Sequence, residues 1–377
     1  MPLTAYSISE QKEVDLEQVL NSLSRRYETR KPLDVNEIPE EWRAFLRTDI
    51  ECPCCFVTGA DVVRESISRT SKKAIRQGYF RFSSPGHKPE CDYAGNDSVG
   101  FTPENLVAFG KANSNLTRAI RELVCKGIQA GVFSQKSIRD MRKWFFQKKA
   151  SALFHVNLDP CLPKWLDNLH RITGPVQHML PMEVPLSADI VAIPGFDWKT
   201  EATRVLAKRH IATLDTMREE RLWHIHSLST RVESLAKRYH GEDVFDPTVL
   251  QTEYTQSISL ARFISHNYAP LASASKRRDN DVASCVLALS ALLLFISGWN
   301  LAKSTELFAR ISTTPDQIDP MLGNVIGLNP FHDFEAWAML KKLQESGLPA
   351  PDGLSPIDER NEIETDLRAR FQVQSGK

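Results

Sequence analysis

Glu51-Cys52-Pro53-Cys54-Cys55 and, further along, Gly86-His87-Lys88-Pro89-Glu90-Cys91 decide how the first part of this 377-residue chain must fold. Cys52 and Cys55 form a CxxC knuckle and His87 with Cys91 an HxxxC pair. Four soft or borderline ligands thus stand in the two closely spaced pairs that tetrahedral zinc requires. Cysteine also serves as a small buried hydrophobe, and a lone CxxC as a redox pair. Four of the seven cysteines fall between positions 52 and 91, however, and Ser83-Ser84-Pro85-Gly86 places a sharp turn directly before His87, where a second knuckle starts. The spacing therefore predicts a structural Zn2+ held by Cys52, Cys55, His87 and Cys91, with Cys54 left over. The loop between the pairs is longer than in a C2H2 finger, which points to a ribbon or treble-clef variant. All four coordination positions are protein ligands, whereas a catalytic zinc leaves one to water.

Working outward, strand signals are few and helical patterns many. The expected fold is mainly α: a multi-helix body with a small N-terminal zinc-binding module. Residues 1–49 read as an N-terminal helical arm, with helices near Val14–Tyr27 and Pro39–Arg47. Residues 50–100 form the metal module, in which Tyr79-Phe80-Arg81-Phe82 alternates like a strand. Residues 101–197 form a basic helical region, with N-caps at Thr102 and Ser134, that ends in a proline-rich connector from Asp159 to Asp197. Residues 198–377 form a helical domain. From Trp198 to about His240, before Gly241, there is no proline or glycine, so one long helix or two abutting ones are expected. Further helices are expected from Pro247 to His266 and over Ser304–Ile311, Pro315–Val325, Phe331–Glu345 and Pro356–Phe371.

Between Val282 and Ala302 there is no charged residue, and Lys276, Arg277 and Arg278 stand just before this run. A membrane span would look like this, with a positive anchor on its inner side. So would the central helix of an all-helical core, apolar all round because it is surrounded. Ser284, Ser290, Ser297 and Asn300 lower the apolarity, so a buried helix at 282–300 is expected and a membrane is not expected as a partner. The opening Met1-Pro2-Leu3-Thr4-Ala5 has neither a basic nor an apolar leader region, and the cysteines outside the module are scattered. Both features point to a reduced, cytoplasmic protein.

Lysine plus arginine and aspartate plus glutamate both number 47, so no global field draws in a polyanion and any such binding must be local. One local run stands out. Arg69, Lys72, Lys73, Arg76 and Arg81 lie between the two ligand pairs, with Tyr79, Phe80 and Phe82 interleaved. Cations replace phosphate counterions and aromatic faces stack on bases, so this segment is expected to contact nucleic acid, DNA or RNA. The bland alternative is a solvated basic face. A second run, Lys136, Arg139, Arg142, Lys143, Lys148 and Lys149, falls on the helix after Ser134 and suggests a groove that follows phosphates.

Phosphate-binding loops, dinucleotide fingerprints, GxSxG and HExxH are absent. One arrangement tempts an enzymatic reading: Arg221-Leu222-Trp223-His224-Ile225-His226 resembles the RxxxxH signature of HEPN ribonucleases. That resemblance implies a metal-independent ribonuclease using Arg221 and His226. On one regular helix, however, the two lie about 140° apart around the axis.

Two other stretches carry resemblances. Cys52 and Cys55, followed by Tyr79-Phe80-Arg81-Phe82 and Gly86-His87-Lys88-Pro89-Glu90-Cys91, resemble the N-terminal metal module of CoiA-type competence proteins, although the nuclease core of that family has no counterpart here. Leu292 to Asn300, followed by Thr305-Glu306-Leu307, is similar to a helix end of tyrosine recombinases, with Asn300 where that family has its first catalytic arginine. Both imply a bacterial mobile-element, recombination or anti-phage defence setting, with protein partners of a multi-component system. The expected function is a non-catalytic, zinc-stabilised nucleic-acid-binding protein. The alternatives are the ribonuclease and a single-span membrane protein with a cytoplasmic zinc domain.

Overall fold

The computed structural model describes residues 2, 4–29, 37–63, 66–67, 74–76, 78–88, 91, 93, 115–179, 185–272, 282–315, 330–331, 333–351 and 353–375. Among them the chain is mainly α-helical, with fifteen helices and nine short strands. It divides into two compact units, each built from two stretches of chain: 1–152 with 248–332, and 153–247 with 333–377. These units cut across the four consecutive segments expected from the sequence, because helices far apart in the chain share one core.

The first unit opens with a hairpin that the sequence reading missed. Strands β1 (Thr4–Ser7) and β2 (Lys12–Asp15) pair antiparallel and turn at Gln11, which adopts φ 52°. Asp15 then caps α1 (Leu16–Arg26) in a reciprocal arrangement with Gln18. Next come α2 (Glu40–Asp49) and β3 (Ile50–Glu51), which completes a sheet in the order β2-β1-β3. Strands β4 (Ala60–Val63), β5 (Ser66–Ile67), β6 (Ala74–Arg76) and β7 (Tyr79–Phe82) follow, with β4 on β7 and β5 on β6. The arm and the metal module are therefore one body. Val14, Leu23, Trp42, Leu46 and Phe80 share a single buried cluster with Cys52, Cys55 and Cys91.

Helix α3 (Asn115–Gln129) precedes α4 (Gln135–Ala150), which Ser134 caps as expected. The expected cap at Thr102 and the expected helix after Pro315 lie outside the described residues. Two arginines fix α4 to the N-terminal sheet. Arg142 Nη1 lies 2.7 Å from Glu13 in a fully buried pair, and Arg139 Nη2 lies 2.6 Å from Glu51. These cations serve the fold, so the groove expected along all of α4 is not formed by them.

The second unit contains β8 (Leu153–His155), α5 (Leu162–Thr173), the short α6 (Ala188–Val191), α7 (Trp198–Arg209), α8 (Ile211–Glu219), α9 (Ile225–Tyr239) and β9 (Asp243–Phe245). The expected connector over 159–197 therefore contains a core helix. Pro163 sits in the first turn of α5, where a missing N–H costs nothing, and Leu162, Leu166 and Leu169 are buried. The stretch expected as one or two helices is broken twice, at His210 and at Arg221, which takes a left-handed φ of 51°.

The chain then returns to the first unit with α10 (Gln251–Asn267), α11 (Ala269–Ala272), α12 (Ser284–Ile296) and α13 (Leu301–Ser312). Helix α12 is the apolar one. Cys285 through Leu294 are all buried against α3, α4, α10 and α13, and the one hydroxyl among them, Ser290, donates to the Val286 carbonyl at 2.9 Å. Its 13 residues span about 20 Å, short of a hydrocarbon core of about 30 Å. Among the described residues no single helix is long and apolar enough to cross a membrane; α12 and α13 meet that requirement only as a pair bent by 115°. Asn300, between them, caps α13 by accepting from the Lys303 N–H at 2.9 Å. Helices α14 (Phe334–Glu345) and α15 (Pro356–Ser375) complete the second unit, with α15 along α7 and α5, and α9 between α5 and α14.

Candidate metal centre

The first ligand pair sits on a tight knuckle between β3 and β4. Cys52 N donates to the Val57 carbonyl at 2.8 Å, Phe56 N donates back to the Cys52 carbonyl at 3.1 Å, and Phe56 takes a left-handed φ of 62° to allow it. The second pair follows β7. The chain turns through Ser83 to Gly86, with Gly86 at φ 89°, and Cys91 N donates to the Lys88 carbonyl at 3.0 Å. Gly59 lets the two knuckles meet. At φ 92° its backbone lies so close to the turn that a β-carbon there would stand 2.1 Å from the Ser84 carbonyl oxygen.

This arrangement brings Cys52, Cys55, His87 and Cys91 together, with their ligand atoms all within 4.8 Å of one another. Cys52 and Cys91 sulfurs are 3.9 Å apart, and His87 Nδ1 lies 3.6 Å from Cys55 Sγ and 3.4 Å from Cys91 Sγ. A tetrahedral metal with sulfur at about 2.3 Å and nitrogen at about 2.05 Å has S···S edges of about 3.8 Å and S···N edges of about 3.5 Å. The observed edges fit that figure. A disulfide, with sulfurs about 2.0 Å apart, is excluded. The cluster is thus geometrically compatible with metal binding, and Cys54, buried beside it, is not one of the four.

The electrostatics follow from crowding. Hydrogen bonds from Cys52 and then Cys91, joined by His87 against the cost of burial, push the Cys55 thiol far down. Burial, then its bond to Cys55, pushes Cys52 up. The bonds of Cys91 to Cys52, Cys54 and Cys55, and then burial, push Cys91 up. A cation that takes all three sulfurs would have to displace the protons that remain on them. The His87 ring is held on both sides, by Phe82 at 5.4 Å and Tyr93 at 5.9 Å between centroids, and Tyr93 N lies 3.4 Å from Cys91 Sγ.

Of the residues expected to meet nucleic acid, Arg69, Lys72 and Lys73 lie outside the described residues, in the segment that joins β5 to β6. Arg76 stands on β6 opposite Ser66. Arg81 is exposed on β7 opposite Asp61, and Lys88, next to the ligand His87, is exposed as well. The structure does not place Arg221 and His226 on one helix. Arg221 is exposed at the left-handed turn before α9, while His226 Nδ1, in the first turn of α9, lies 2.9 Å from buried Asp167 on α5, which also accepts from Ser229 Oγ at 3.2 Å. The sequence reading missed Gly59, whose signal is a glycine closing the knuckle after Cys-Phe-Val-Thr, and Glu51, whose partner Arg139 is 88 positions away. Comparison with protein-family models, curated proteins and solved structures gave no match to this chain.

Proposed function

We propose that the cluster holds one structural Zn2+ and that the protein is a non-catalytic, zinc-stabilised nucleic-acid-binding protein of the reducing cytoplasm, working in a bacterial mobile-element, recombination or anti-phage setting. One observation carries the reading: four convergent ligands, of the types and spacing zinc prefers, bracket a two-stranded ribbon whose connecting segment carries Arg69, Lys72 and Lys73. Three thiolates and one imidazole select zinc over hard cations such as magnesium and calcium. A closed set of four leaves no position for water, so the ion supplies rigidity and no reacting group. Exposed Arg81 and Lys88 flank the site, and metal binding would hold both in place for phosphates. The setting rests on the resemblances to CoiA-type and recombinase segments. Metal analysis together with binding to labelled single- and double-stranded DNA and RNA tests the reading. It requires about one zinc per chain, and binding that weakens when Lys72, Lys73 and Arg76 are reversed in charge.

The ribonuclease reading has one observation behind it, the contact between His226 and Asp167. A buried carboxylate orients that imidazole and leaves its other nitrogen towards solvent, as a general base requires. RNA degradation lost in His226→Ala, with zinc content unchanged, would favour this reading over the first.

A further inference from the structure

Ion pairing sorts the cations of α4 into two sets. Lys136 reaches Asp140 at 2.6 Å, Arg139 reaches Glu51 and Arg142 reaches Glu13, so these three are committed within the fold. Among the described residues no carboxylate lies within ion-pair distance of Lys143 or Lys148, nor of Lys88 beside the metal cluster. Two of these lysines instead cover aromatic rings. Lys148 Nζ sits 5.3 Å from the Trp144 ring and Lys88 Nζ 5.4 Å from the Phe146 ring. At about 100° per residue, Lys143 lies on the outer ridge of α4, with Trp144 about 100° to one side and Phe146 about 60° to the other. Lys143 is exposed, and both rings are half-buried.

The rings are braced from below. Trp144 rests on Phe295 at 6.1 Å and Trp299 at 5.5 Å between centroids, and Phe146 rests on Phe56 at 6.2 Å. Trp299 keeps a left-handed φ of 63°, uncommon for so bulky a residue, and its N–H donates to the Leu294 carbonyl at 2.7 Å. The result is a pair of braced aromatic rings, each with a lysine over it that pairs with no carboxylate among the described residues.

We propose that the outer side of α4, with Lys143 at its crest, Trp144 and Lys148 on one flank and Phe146 under Lys88 on the other, is a binding surface for a single strand of nucleic acid that crosses the helix. The proposal rests on the nucleic-acid reading above and places the contact on α4 as well as on the ribbon. A polyanion draws the three ammonium groups onto its phosphates, which uncovers the two rings. Flat nucleobases from the same strand then take the places the lysines leave, each keeping a face dry that would otherwise be wetted. A duplex keeps its base faces stacked within itself, and an acidic peptide brings charge without flat faces, so both should bind this surface less well.

The test uses the full chain with zinc bound and fluorescein-labelled dT20 and U20, followed by anisotropy from 50 to 300 mM NaCl. Replacing Lys88, Lys143 and Lys148 together by alanine should reduce the slope of log affinity against log salt by about 2, at about 0.7 per phosphate contact. Trp144→Leu and Phe146→Leu should each weaken binding about tenfold at constant salt slope, because stacking releases no counterions. Thermal unfolding of every variant separates lost contact from lost fold, and the lysine variant, whose Lys88 and Lys143 are exposed and Lys148 half-buried, guards the test if an aromatic variant unfolds. Wild-type binding with an unchanged salt slope in the lysine variant would overturn the α4 surface and leave the nucleic-acid reading standing on the ribbon. Equal competition by polyglutamate would overturn the stacking. A wild-type protein that binds none of dT20, U20 or a DNA duplex at 50 mM NaCl overturns the nucleic-acid reading itself.

Discussion

Stripping the metal with a strong chelator should loosen far more than the loop that carries the ligands. Cys52, Cys55 and Cys91 belong to the same buried cluster as Leu23 of α1, Leu46 of α2 and Phe80 of β7, so an ion bound there would close a core as well as a turn. At a free zinc concentration a thousandfold above the dissociation constant, binding adds about 4 kcal/mol. In a unit of about 240 residues that corresponds to a fall in Tm of about 8–16 °C on chelation. Hydrogen exchange with and without chelator localises the effect. Amides of α1, α2 and β7 should lose protection, while those of α5 and α15 keep theirs. Cys55→Ser should reproduce the loss, and Cys54→Ala, outside the ligand set, should retain one zinc per chain. Because burial and crowding push Cys52 and Cys91 up, a zinc ion bound there would have to displace their protons, and its hold should weaken as pH falls. Less than half an equivalent of metal in protein as purified, with a Tm shift on chelation below about 2 °C, would refute the reasoning; a structural site at these affinities stays occupied.

Gly59→Ala should cost about 2–3 kcal/mol in urea unfolding and lower the zinc content, since its β-carbon would meet the Ser84 carbonyl oxygen in a backbone conformation that alanine disfavours. Arg142→Met should destabilise by about 3–5 kcal/mol because it strands the buried Glu13 carboxylate; adding Glu13→Gln should recover part of that loss, as a double-mutant cycle would read. In the second unit, burial alone would raise the Glu359 carboxyl, but hydrogen bonds from His210 at 2.8 Å and Arg209 at 2.7 Å outweigh it and hold the group below its usual range. A depressed folded value means stability that is fully present above the unfolded carboxylate range, near pH 4.3, and is lost as pH falls through the folded value. Wild-type protein should therefore lose more stability than Glu359→Gln between about pH 5 and 3, measured by urea midpoints across that range.

The convergence of Cys52, Cys55, His87 and Cys91 was legible because few side chains bind zinc and their short-range spacing is set by local turns, so this cluster could be read without tertiary information. Helix α12 was legible for a similar reason: a run without charge has few fates. Features that depend on distant partners were not. The β1–β2 hairpin is held by Arg142, 129 positions from Glu13, and four-residue strands carry too little alternation to stand out. Nothing beside Gly59 shows that Ser84 will approach it. The breaks at His210 and Arg221 occur without glycine or proline, and His210 is instead tied to Glu359, 149 positions away. Prolines misled in the opposite direction at 159–197, since Pro163 opens a helix and does not interrupt one.

The interleaving of the two units, 1–152 with 248–332 and 153–247 with 333–377, has a consequence for how this chain is made. A ribosome delivers residues in order, so α3 and α4 emerge long before the helix that covers them. About 130 residues separate the end of α4 from the start of α12, which at roughly 5–20 residues per second is about 7–26 seconds of synthesis. Over that interval Leu123, Val124, Met141 and Phe145 have no α12 to bury them. The metal cluster, whose ligands all lie within the first 91 residues, can close before any of this is resolved. A metal bound there would then anchor the nascent chain at its leading end while the apolar faces behind it still wait for cover.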